Sequence, residues 1–147
     1  MRMVKEILQA KGSDVWTTAP STPVYDALKL MADKGVGALV VVDGDEVIGI
    51  MSERDYARKV ILKGKSSTDT PVEQIMTSKV FYVRLDQTID ECMALMSDKR
   101  VRHLPVLDSN KLAGIISIGD VVKEIISEQK IYIRDLQNYI EGRGYGQ

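Results

Sequence analysis

Two serine–aspartate pairs stand at matching places in the chain, Ser52 with Asp55 and Ser117 with Asp120, each after an apolar run that begins at a glycine. A serine that closes a strand and opens a helix lies beside free backbone N–H groups and the positive end of the helix dipole, which together favour an anion. A carboxylate three residues on falls in the first helical turn, where it can accept both hydroxyls of a ribose, as the acidic residue of dinucleotide folds does. The same spacing also makes an N-cap with an acidic first turn, so both readings stand. Basic side chains gather nearby. Arg54 and Arg58 are four apart, and Lys59 and Lys63 form an adjacent row. Arg102 and His103 lead into a strand of the second half, where the first half has Gly37 and Ala38. The planar fork of arginine suits phosphate oxygens, which makes Arg54, Arg102 and His103 the candidate phosphate contacts. Lys59 and Lys63 read more simply as solvated charges, and His103 reads also as an interior imidazole. No serine or carboxylate is assigned as a partner for His103, so the chain is not read as an enzyme.

An internal repeat positions these residues. Displacing the chain by 65 positions lays residues 15–61 over 80–126 without a gap, matching Leu30 to Leu95, Asp33 to Asp98, Val36 to Val101, Gly49 to Gly114, Ser52 to Ser117 and Asp55 to Asp120. Two copies are too few for a stacked array, so they are expected to pack on each other about a pseudo-twofold axis. Val24, Ala27, Leu28 and Met31 mark one face of a helix over 23–34, and Ile89, Cys92, Met93 and Met96 repeat that stripe. Thr22 before Pro23 punctuates the first start, and Thr88 with Glu91 makes a capping box at the second. Residues 38–42 and 47–51 flank Asp43-Gly44-Asp45 as a hairpin, repeated at 104–107 and 112–116 around Asp108-Ser109-Asn110. With short strands near 15–17 and 80–83 and helices over 53–63 and 118–129, each unit reads β-α-β-β-α. The expected fold is α/β, with two pseudo-twofold-related repeats packed sheet to sheet and a C-terminal helix. The first repeat spans 1–63, a polar linker 64–71 and the second repeat 72–130. Residues 71–76 echo 3–8 as an amphipathic lead-in, and 131–147 reads as a helix, packed on this module or on a second copy, with a flexible end.

Composition removes several classes of function. Twenty Lys and Arg balance 21 Asp and Glu at a net charge of −1, which denies the chain the broad positive field of a nucleic-acid binder. The longest aliphatic run, 38–42, is far below the roughly 20 residues of a membrane span. The first ten residues lack the apolar stretch of a secretory signal, so a cytoplasmic location is expected. One cysteine, Cys92, and one histidine leave no ligand cluster for a metal, and no cofactor is required. Gly64-Lys65-Ser66 has Lys59 where a phosphate-binding loop needs its first glycine, and Gly35-Val36-Gly37 lacks the third glycine of a dinucleotide fingerprint.

The repeated ending Gly-hydrophobic-hydrophobic-Ser-x-x-Asp, residues 49–55 and 114–120, resembles the signature of CBS domains, named after cystathionine β-synthase. Arg102-His103-Leu104-Pro105-Val106 is similar to that family's strand before the hairpin turn. The resemblance covers residues 4–127 and is closest to stand-alone pairs with no attached enzyme or transporter domain. It implies a regulatory module whose clefts hold AMP, ADP or ATP, with NAD and S-adenosylmethionine as further ligands of the class. It assigns ribose to Asp55 and Asp120 and a hydroxyl contact to Ser52 and Ser117. It also implies a homodimer formed through helices and an unidentified regulated protein; charge and hydropathy add the expectation of no nucleic acid and no membrane as partner. Adenine asks for an apolar slot and a backbone edge. By repeat position the candidates are Val36, Ala38, Val80, Val101 and Pro105, with Val15, Ile50 and Ile115; each reads also as core. A constitutive scaffold with empty clefts is the alternative.

Overall fold

The computed structural model describes residues 2–141. It has two three-stranded sheets of identical topology, each with a parallel and an antiparallel pairing. In the first, β1 (Thr17–Thr18) runs parallel to β2 (Ala38–Asp43), which turns back antiparallel into β3 (Glu46–Ser52). In the second, β4 (Val83–Arg84), β5 (His103–Asp108) and β6 (Lys111–Ser117) do the same. The mixed α/β architecture with two repeats is the expected one. The short leading strands lie about two residues later than the sequence pattern suggests.

Helices α2 (Val24–Lys34) and α4 (Ile89–Lys99) connect the parallel strands and bury the predicted stripes, with Val24, Ala27 and Met31 in one core and Ile89, Cys92 and Met96 in the other. Burial pushes the Cys92 thiol up to about 11, so it behaves as a small apolar residue. Thr88 and Glu91 form the expected capping box on α4. The start of α2 differs from expectation. Pro23 itself occupies the N-cap, without a side-chain cap, and the free N–H groups of Val24 and Tyr25 donate to the carbonyls of Thr70 and Ser67. The segment 64–71 is therefore fastened to α2 by its own backbone rather than hanging between the repeats.

The helix expected over 53–63 is α only for its first turn, α3 (Glu53–Tyr56), and continues as a π-turn over Ala57–Ile61, closed by Leu62 N–H donating to Ala57 O. Its counterpart α5 (Ile118–Ile140) is one helix of 23 residues. A separate helix beginning at 131 is thus not found. No Pro or Gly interrupts 120–140, and no stop signal separates the two segments. The flexible end expected beyond it lies outside the described residues.

The two lead-ins pack crosswise. Val4, Ile7 and Leu8 of α1 (Val4–Lys11) join the core of the second repeat, whereas Val72 and Ile75, at and just after a short 3-10 turn (Val72–Gln74), join the core of the first. Leu8 lies over Gly114 and Met76 over Gly49, each within a distance that a Cβ on the glycine would violate. Met3 bridges to Thr88, and Thr77 to Ile50. Each packed unit is assembled from both halves of the sequence, and the functional residues gather where the halves meet.

Candidate functional site

Both Ser-x-x-Asp segments fold as capping boxes. Ser52 N–H donates to Asp55 Oδ2 at 3.0 Å and Asp55 N–H to Ser52 Oγ at 3.2 Å; in the second copy, Ser117 N–H donates to Asp120 Oδ2 at 2.8 Å and Asp120 N–H to Ser117 Oγ at 3.1 Å. The bland reading of the spacing is therefore realised, but it uses only part of each carboxylate. Asp55 Oδ1 points away from the cap, accepting from Lys59 Nζ at 3.1 Å and Thr77 Oγ1 at 3.3 Å.

That oxygen borders a cleft of about 750 Å³ between the repeats. One wall is Ile50, Ser52, Arg54, Asp55, Arg58 and Lys59 at the β3–α3 junction; the other runs from Asp98 to His103 at the α4–β5 junction; Thr77, Lys79, Val80 and Phe81 close it from the connecting segment. Seven lysine and arginine side chains face three carboxylates across this space. The excess of cations gives the cleft a net positive charge. Ile50, Val80, Phe81 and Val101 supply apolar surface in the same space. Lys79 and Lys99 flank the Phe81 ring at 5.8 and 5.6 Å from its centroid. Trp16, its counterpart in the first repeat, packs against the first core beneath Lys34 in the same way as Phe81 packs against the second beneath Lys99, but does not line this cleft.

His103 meets Gly37 across the cleft, its Nε2 3.7 Å from where a Cβ on that glycine would stand. Burial pushes the imidazole below its usual value, and the charges of Lys11 and Arg102 push the same way against the opposing pull of Asp120 and Asp55. The folded surroundings thus favour its neutral form.

Of the residues singled out from sequence, Ser52, Arg54, Asp55, Val80, Val101, Arg102 and His103 line this cleft. Val36, Ala38, Pro105, Ser117 and Asp120 are not among its lining. Val36 packs against the first core, and Ala38 and Pro105 are buried within β2 and β5. Ser117 and Asp120 belong to the other Ser-x-x-Asp junction, where Lys11 Nζ reaches Asp120 Oδ2 at 2.7 Å. That ammonium and the Ser117 N–H hold the Asp120 carboxyl below its usual range even though burial, the largest single influence, pushes it up. Lys63 is exposed and outside the cleft.

Sequence reasoning passed over Thr77, Lys79, Lys99 and Arg100. One signal for Arg100 was present. It aligns with Gly35, and both end their helices in the left-handed conformation, at φ 65° for Gly35 and 55° for Arg100. That is the position where glycine is favoured and other residues are strained. A strained arginine where the sister copy has glycine directs attention to what its side chain does.

The family model for the CBS domain matches residues 4–61 and 72–127. The chain belongs to the CBS-domain family, as a pair of such domains. A CBS-domain protein from Burkholderia ambifaria MC40-6 has a solved structure 58% identical, covering 87% of this chain and 96% of that one at a TM-score of 0.84. The mitochondrial CBS domain-containing protein CBSX3 of Arabidopsis thaliana is 44% identical over 141 residues, 92% of this chain and 68% of that protein. The CBS domain pair of protein MJ0100, solved with 5′-methylthioadenosine and S-adenosyl-L-methionine, shares the fold at a TM-score of 0.76 over 87% of this chain and 98% of that one, with 23% identity. Among the described residues no helix is long and apolar enough to cross a membrane.

Proposed function

We propose that the cleft beside Asp55 binds an adenine nucleotide and that the module, as a cytoplasmic homodimer, passes the occupancy of that cleft to a partner protein. The observation that carries this reading is the excess of cations, seven against three carboxylates, in a cleft onto which Asp55 turns the oxygen its cap does not use. Arg54, Arg58 and Lys79 from one side, with Lys99, Arg100 and Arg102 from the other, receive the phosphates. Asp55 Oδ1 and the Thr77 hydroxyl receive the ribose, and Val80, Phe81, Val101 and Ile50 flank the base. The capping box and the ribose contact coexist because they use different carboxylate oxygens.

AMP, ADP and ATP fit this charge pattern, as does NAD, which presents the same adenosine and a pyrophosphate. S-adenosylmethionine, a ligand of the MJ0100 pair, would bring a sulfonium cation into a cleft already rich in cations. The reading assigns no catalytic step; the Ser52 hydroxyl is used in the helix cap, hydrogen-bonded to Asp55.

Calorimetric titration with AMP, ADP, ATP, NAD and S-adenosylmethionine tests the proposal. Saturable binding of a phosphate-bearing ligand is expected, weakening with added salt and disappearing in Asp55→Ala. Failure of all five to bind would overturn it, leaving the Ser-x-x-Asp pairs as helix caps in a constitutive interaction module.

A further inference from the structure

The Asp55 carboxylate has no acceptor capacity to spare. An ionised carboxyl offers about four lone pairs. On Oδ2 the N–H and the hydroxyl of Ser52 occupy two of them, at 3.0 and 3.1 Å. On Oδ1 the other two are taken by Lys59 Nζ at 3.1 Å and the Thr77 hydroxyl at 3.3 Å. A ribose diol brings two donors, so the cleft-facing oxygen must release both of its partners to receive it. Thr77 carries a neutral hydroxyl, which an incoming hydroxyl replaces on equal terms. Lys59 carries a charge, and a charge-assisted bond is about twice as strong as one between neutral groups. A neutral diol does not make good that loss.

Lys59 is also held from behind. Its ammonium donates to the carbonyl of Ile75 at 3.0 Å, and Ile75 is sunk in the first core. Val60, the next residue of the π-turn, is buried in the same core, which pins the backbone that carries the lysine. The Asp55 side chain is 13% exposed, so solvent ions screen the pair little, whereas Lys59 at 43% keeps part of its length on the cleft. An anion entering beside Arg54 and Arg58 changes the balance. The ammonium then passes from carboxylate to phosphate, the diol takes its place on Oδ1, and every charge stays paired. Adenosine brings the same diol without the phosphate and would leave the ammonium with no anion in exchange.

The geometry points to Lys59 as the residue that bars Asp55 to a ribose arriving without a phosphate, so that the cleft selects nucleotides over nucleosides. This inference rests on the nucleotide-binding reading of the same cleft and adds what that cleft refuses. Wild type, Lys59→Met and Lys59→Gln are titrated with AMP and with adenosine, after circular dichroism has shown each to be folded; the glutamine keeps a donor for the Ile75 carbonyl if the methionine variant does not fold. Adenosine affinity is expected to rise about tenfold in the neutral variants, the preference for AMP over adenosine to fall by at least as much, and the gain to vanish when Asp55→Ala is added. Lys59→Arg, which keeps the charge, should keep the wild-type preference. An adenosine affinity that does not rise, a rise that AMP shares equally, or a gain that survives Asp55→Ala would overturn the inference, even where wild type binds AMP and the nucleotide reading stands. Adenosine binding gained in the neutral variants and lost with Asp55→Ala, beside a wild type that binds no AMP, would support the bar at Lys59 while overturning the assignment of phosphate to this cleft.

Discussion

His103 is the one histidine of the sequence, so its titration can be followed without ambiguity. Burial, seconded by Lys11 and Arg102, holds its pKa below 6.5, and the folded protein therefore favours the neutral ring. The unfolded chain takes up its proton first as pH falls. The contribution of His103 to stability is accordingly full above about pH 6.5 and declines as pH drops from there towards the lowered folded value; His103→Gln should remove that part of the pH dependence. A phosphate in the cleft reverses the local field. AMP at saturation should raise the pKa of His103, and AMP affinity should increase as pH falls through the same window. The imidazole proton resonances, titrated with and without AMP, check this directly. An unchanged pKa would mean that the phosphate lies away from His103.

Arg100 ends α4 in the left-handed conformation that Gly35 adopts at the end of α2. Glycine at that position relieves the strain, and Arg100→Gly should stabilise the protein by about 0.5–1 kcal/mol, raising Tm by roughly 1–3 °C. The same change removes a charge from the cleft and should weaken AMP binding about tenfold, the worth of one charge-assisted hydrogen bond. Thermal denaturation and calorimetry separate the two effects, and unaltered affinity would take Arg100 out of the phosphate site. Such comparisons between copies also show what could be read from sequence. The β-α-β-β-α unit, both hairpins and the Thr88 cap are legible because apolar period and turn chemistry are local signals. The pairing of Ser52 with Asp55 is legible as a cap for the same reason. The crossed lead-ins are not, because residues 3–8 and 71–76 are equally amphipathic and nothing in either states which sheet it will cover. Repeat position does not tell which apolar residues reach the cleft: Val80 and Val101 line it, whereas Val36 packs against the first core and Ala38 and Pro105 are buried in β2 and β5.

Along α5 the side chains of Val122, Ile126, Ile133, Leu136 and Ile140 are each between 40% and 79% exposed. At 100° per residue they fall on one face, an apolar stripe of a kind that soluble monomers rarely leave bare. The proposed homodimer buries this stripe. Ile126→Lys should therefore shift the protein to monomer in sedimentation equilibrium without unfolding it, since Ile126 is already 46% exposed; a variant that remains dimeric would place the interface elsewhere. The crossed lead-ins also bear on how the chain is made. Arg2 and Glu128, joined in the finished molecule, are 126 residues apart. Helix α1 is made before the second sheet in which it is seated, so Val4, Ile7 and Leu8 stay uncovered until that sheet emerges. The first repeat likewise waits for Val72 and Ile75 before its core is closed. A nascent chain halted at the segment 64–71 would hold neither unit complete, so neither core closes until both halves of the pair have been made.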